Sequence, residues 1–187
     1  MAIDRRLSQT GPAVIGVPDV LTHVLVGYSI GTLLSFRYAW LRPAHVTLVM
    51  IGALSPDFMK IDLLVPDGLV GFLLGIPFSW APLHTLVGSL LVALFLGTLL
   101  IAPALRWRAF GLFVIGALSH HVLDVALVTA TGYSYAVFWP LTTYRFPAAD
   151  LFLSSDRWPA LVAGGLALTI WLVGQRITTA GDDPSRL

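Results

Sequence analysis

The chain has 187 residues, 57% apolar and only 11% charged, with a mean hydropathy of +0.84. These values exclude an ordinary soluble domain, in which about a quarter of the residues are charged. A formal net charge of +1, with ten arginines scattered singly and Lys60 the one lysine, excludes a broad nucleic-acid-binding field. The lack of cysteine excludes disulfides, thiolate metal sites and cysteine nucleophiles.

Residues 1–19 carry Arg5 and Arg6 and a short apolar run broken by Gly and Pro, a poor secretory signal, and read as an exposed or interfacial arm. Residues 20–176 read as one membrane-embedded domain, and 177–187 as a flexible polar tail. A spanning helix needs roughly 20 mainly apolar residues. The expected class is therefore all-α, a multi-pass bundle of about five transmembrane helices with one re-entrant or interfacial segment, its surface in contact with membrane lipids.

The first span is expected over 20–40, with Asp19 as N-cap and Arg37, Arg42 and Pro43 closing it. The second, 44–59, is short, and Pro56-Asp57 predicts a stop or bend at the membrane surface. Residues 63–80 are apolar but interrupted by Pro66, Asp67, Gly68, Gly71, Gly75 and Pro77. Such irregular backbone at membrane depth needs protein or a wet cavity over it, hence the re-entrant reading. The third span is expected over 82–105 and the fourth over 109–130. Residues 131–157 form a long connection whose Tyr133, Tyr135, Phe138, Trp139, Tyr144 and Phe146 suit the headgroup region. The last span is expected over 158–174.

Following the alternation of direction, His23, Asp57, His84, His120 and Asp124 come out at one depth on one membrane face. His120 and Asp124 are four apart and share a helix side. Ionisable groups in a bilayer are costly and usually pair or coordinate, and a divalent cation offers that compensation. Nitrogen and carboxylate donors without thiolate suit zinc, with manganese or iron as alternatives. These five residues are the expected metal ligands, and Asp57 and Asp62 are candidate proton acceptors. Arg145 is a candidate phosphate-binding fork, though an interfacial snorkelling arginine fits it equally. His121 points about 100° from His120 and reads as packing or outer support, and His45, at the other end, as structural. Arg37, Arg42, Arg106, Arg108 and Arg176 mark the far ends of the spans, so the positive-inside rule puts the site on the extracytoplasmic face of the cell membrane.

Leu21-Thr22-His23 with Gly27, Gly52-Ala53-Leu54-Ser55-Pro56-Asp57, Leu83-His84-Thr85, Gly116-Ala117-Leu118-Ser119-His120 through Leu123-Asp124, then Thr129, Gly132 and Trp139-Pro140, resemble in order the YdjM-like (LexA-binding, DUF457-type) family of membrane-bound metal-dependent hydrolases. The resemblance covers roughly 19–146. It implies kinship with zinc-dependent phospholipase C and phosphoester hydrolysis at a His/Asp metal cluster. The sequence departs from the family at Ser79 and Trp80, where His-Arg is usual, and at Pro56-Asp57-Phe58-Met59, where a second acid is usual and the next here is Asp62. These departures imply fewer metals or lost activity.

The resulting expectation is a metal-dependent hydrolase acting on an amphiphilic phosphoester or lipid-like substrate at the membrane interface. Its rivals are a transporter or ion-pathway protein, which also uses intramembrane His and Asp, and a non-catalytic membrane scaffold that keeps a degenerate metal site. A polar path to the far face would favour the transporter; metal-dependent turnover would remove the scaffold.

Overall fold

A computed structural model describes residues 17–181. Residues 1–16 of the expected arm and 182–187 of the expected tail lie outside the described residues. Six α-helices follow in order: α1 (Val17–Arg37), α2 (Pro43–Leu54), α3 (Asp67–Leu74), α4 (Leu86–Leu100), α5 (Arg106–Val125) and α6 (Trp158–Gly181). A nine-residue 3-10 segment, Ser55–Leu63, continues α2, and 3-10 turns at Ala81–His84 and Pro103–Leu105 flank α4. No strand forms among the described residues, only isolated bridges at Leu127–Phe152 and Tyr133–Pro147.

Among the described residues, three helical stretches are long and apolar enough to cross a membrane: Val20–Arg37, Pro103–Val125 and Trp158–Ile177. The expectation of five is met only in part. At about 1.5 Å per residue, the 12 residues of α2 and 15 of α4 fall short of about 30 Å of hydrocarbon as α-helix alone.

Several expected boundaries move. Helix α1 already includes Val17 and Pro18, so Asp19 lies inside its first turn and is not the N-cap. Helix α4 starts at Leu86 rather than Pro82, because Thr85 Oγ1 accepts the Gly88 N–H and caps it there. Helix α6 runs on to Gly181, so the first residues of the expected tail are helical. The stretch 63–80 holds no helix long enough to cross a membrane, α3 being eight residues. The Trp80 N–H donates to Asp67 Oδ1 and its indole Nε1–H to Val65 O, which ties off α3 as a short excursion with no buried residue.

The core is α2 between α1 and α5, with α6 outside α1 and α4 beside α5. Apolar helices in lipid gain little hydrophobic free energy from coming together, so close van der Waals packing of small residues must hold them. Gly52 and Gly116 supply it. A Cβ on Gly52 would sit 2.1 Å from Phe113 O, and one on Gly116 2.0 Å from Val49 O. Gly27 on α1 is similarly close, its Cβ position 2.9 Å from the Ala53 Cβ. Backbone contact there draws the end of α5 against the end of α2.

The connection 131–157 folds back over the same end of the bundle. Val137 O accepts the Leu86 N–H, Phe152 O the Val128 N–H and Val125 O the Ala149 N–H, with Ser134, Val137 and Phe152 buried. It is therefore a cover pinned to α4 and α5, with Tyr133, Trp139 and Tyr144 still exposed on its outside.

Gly116→Ala is expected to destabilise the bundle by about 1–3 kcal/mol through overpacking, read as a lower melting temperature in detergent. Gly111→Ala, where a Cβ meets nothing within 4 Å, should leave the melting temperature unchanged or slightly raised.

Candidate metal centre

The α2–α5 contact has a chemical consequence at Pro56. In 3-10 register the N–H of residue 56 would bond the carbonyl of residue 53, but proline has no N–H to give. The Ala53 carbonyl, one of the last four of α2 and so without an α-helical donor, instead accepts from His120 Nδ1 at 2.8 Å. The Pro56 carbonyl in turn accepts from His84 Nδ1 at 3.0 Å. Because a carbonyl can only accept, each Nδ1 carries a proton, and Nε2 is the nitrogen turned toward Asp124, bare whenever the ring is neutral.

Both Nε2 atoms face the same acceptor. His84 Nε2 lies 2.8 Å, and His120 Nε2 3.2 Å, from Asp124 Oδ2, while His23 Nε2 lies 3.3 Å from Asp124 Oδ1. The His23 and His120 rings stack with centroids 3.8 Å apart. His23, His120 and Asp124 are buried, as is Asp57, whereas the His84 side chain is 18% exposed. Asp57 Oδ1 takes the Lys60 ammonium at 2.8 Å; buried Asp57 Oδ2 and His120 Nε2 have no well-aligned hydrogen-bond partner among the described residues.

Lone pairs pointed at a carboxylate oxygen repel unless a positive centre lies between them. A proton on His84 Nε2 would make its 2.8 Å contact a charge-assisted hydrogen bond, which still leaves His120 Nε2 without a hydrogen-bond partner among the described residues. A divalent ion fits the same place. Tetrahedral ligands about 2.1 Å from zinc are about 3.4 Å apart, close to the 3.2 and 3.3 Å that separate Asp124 from His120 and His23, whereas His84 at 2.8 Å is at hydrogen-bond distance. Two triads are placed to hold an ion, His23–His120–Asp124 and Asp57–His84–His120, the donor atoms of each within 4.8 Å of one another. All five residues expected as ligands are thus brought together. His23 is in the second turn of α1 and His84 in the 3-10 turn before α4, each slightly off the expected place.

Two expected catalytic residues are not at the cluster. Asp62 is exposed, and its Oδ1 accepts the Asp67 N–H at 2.7 Å, so its carboxylate serves the start of α3. Arg145 is exposed on the connection and makes no contact with the cluster among the described residues. His45 is structural as expected, its Nδ1 accepting the Arg42 N–H at the start of α2 and its ring edge-on to Trp40.

The structure adds partners the sequence reading passed over. Lys60 pairs with Asp57. His121, buried, bridges Ser89 Oγ through Nε2 at 3.1 Å and the Tyr135 hydroxyl through Nδ1. Tyr135 lies over His84, with ring centroids 4.5 Å apart. Burial, and then the nearby negative charge of Asp124 and Asp57, push the Tyr135 phenol above its ordinary pKa, so it stays a neutral hydroxyl. Toward the arginine end, Leu41, Val49 and Leu112, with Ile30, Leu34 and Leu48 against them, form an apolar core.

An all-helical membrane protein whose buried His and Asp side chains are placed to hold a metal ion is the class this fold and site define. More narrowly, the model of the YdjM inner membrane protein family matches residues 19–180, and the chain belongs to that family. No match was found among curated proteins or among solved structures.

An ion that binds only the folded bundle stabilises it by about 2.7 kcal/mol at a hundredfold excess over its dissociation constant. Zinc added to protein stripped by chelator is expected to raise the melting temperature by several degrees, and His120→Ala/Asp124→Ala should abolish the shift.

Proposed function

We propose that this protein is a multi-pass, membrane-bound, metal-dependent hydrolase of a phosphoester substrate at the membrane interface, with zinc the best-fitting ion and manganese or iron alternatives. The observation that carries the reading is the pair of Nε2 atoms on His84 and His120, their rings fixed by backbone carbonyls at Nδ1 and turned to one Asp124 oxygen. His23, His120 and Asp124 would hold the ion, with His84 and Asp57 completing the set or holding a second. When bound, a divalent ion polarises the ester oxygen and lowers the pKa of a water toward 7.

The chain's own residues supply the rest. Asp57 accepts the proton through Oδ2, while Lys60 holds Oδ1 and fixes the carboxylate's orientation. The carbonyls of Ala53 and Pro56 keep the imidazoles from turning. The exposed Asp62 and Arg145 have no part in this scheme.

Arg37, Arg42, Arg106 and Arg108 lie at the ends of their helices opposite the cluster. This supports a site on the extracytoplasmic face. With α2 continued by its 3-10 segment and α4 flanked by 3-10 turns, a bundle crossing five times remains our reading of the topology. The apolar core beneath the cluster weighs against a proton or cation pathway through the bundle, which needs polar groups in succession.

Detergent-purified protein is expected to carry near-stoichiometric zinc, manganese or iron by elemental analysis and to hydrolyse a phosphodiester or phosphomonoester in a screen. Asp57→Asn should lose about 10²–10⁴-fold in turnover while the His23–His120–Asp124 triad keeps at least one ion. Metal without turnover on any ester would leave the scaffold reading, and no metal at all would sink the proposal.

A further inference from the structure

Of the cluster, His23, Asp57, His120 and Asp124 are buried, and only His84 is open to approach. His84 opens into a groove of about 680 Å³ between the 3-10 segments and the covering connection. This size is within the usual range for small-molecule sites. Met59, Ala81, Pro82, Ala136 and Trp139 supply its apolar walls.

The other polar groups lining it are already engaged. Thr85 Oγ1 donates to Pro82 O and accepts from Gly88 N, and the Tyr135 hydroxyl is hydrogen-bonded to His121. Ser79 is exposed, its Oγ accepting the Ala81 N–H. An occupant therefore meets polar chemistry at the His84 end and hydrocarbon-like walls elsewhere. An unsatisfied polar group placed along those walls would lose its hydrogen bonds to water without replacement.

We propose that this groove binds the hydrocarbon chain of a single-tailed amphiphile with its phosphate at His84, which makes the substrate a long-chain phosphoester rather than a water-soluble one. The placing of the phosphate rests on the hydrolase reading above; the seat of the chain rests on the groove. Trp139 is the large aromatic along the chain's path, and Ser79 and Ala81 line the groove without being candidate ligands, so added bulk there would narrow it.

Photolabelling with a non-hydrolysable dodecylphosphonate bearing a terminal diazirine, on full-length protein in detergent, tests this. Saturable labelling is expected on Met59, Ala136 and Trp139, competed by plain dodecylphosphonate but not by methylphosphonate. Ser79→Trp and, independently, Ala81→Trp should cut it about tenfold while leaving metal content unchanged. Labelling that does not saturate, that spreads over the lipid-facing Leu91, Phe95, Leu161 and Leu168, or that persists in both variants would overturn the proposal and indicate ordinary lipid contact. Metal content measured on the same samples reports on the hydrolase reading separately, so either can fail alone.

Discussion

Two imidazole Nε2 atoms aimed at one carboxylate oxygen form the constraint on which the site depends. With both rings neutral the arrangement is unstable by itself, because Nε2 of His84 and of His120 then need a positive partner where Asp124 also offers only lone pairs. What forces it is remote from the carboxylate. A proline at 56 withholds a backbone donor, the Ala53 and Pro56 carbonyls take Nδ1 protons instead, and the rings cannot turn over to relieve the conflict. The sequence step Ser55-Pro56-Asp57 thus both ends a helix and sets the tautomers of histidines on two other elements.

That constraint is affordable only because the helices meet at backbone distance. With side chains at positions 52 and 116, α5 would stand off from α2 and His120 Nδ1 would lose the Ala53 carbonyl. In a bilayer there is little hydrophobic force to press the helices together, so glycine contact takes its place. Packing and chemistry are in this sense the same feature, seen at successive turns of α5.

Much of this is legible in the sequence. Helical period and alternating span direction suffice to bring His23, Asp57, His84, His120 and Asp124 to one depth, since both follow from chain geometry. The same reasoning fails where a side chain answers to a local turn. Asp62 looks like a spare acid but accepts an N–H at the start of α3, and Thr85 rather than Pro82 decides where α4 begins. Tyr135 reads as one more interfacial ring, because nothing in its spacing reveals that the connection folds back onto His84 and His121. Gly27 and Gly31, four apart on α1, carry a packing signal in their spacing, and both meet α2 at backbone distance. The number of crossings stays the least legible, because 3-10 segments extend α2 and flank α4 where composition alone shows continuous apolar chain.

The ion pair of Lys60 with Asp57 has a consequence outside energetics. Lys60 is the one lysine in the chain, and its side chain is 41% exposed above a buried carboxylate. Amine-directed reagents therefore address a single side chain, and it stands beside the cluster. Whatever shields or releases that ammonium changes its acylation rate, so the protein carries a built-in chemical reporter at this site, one that needs neither a known substrate nor an engineered label.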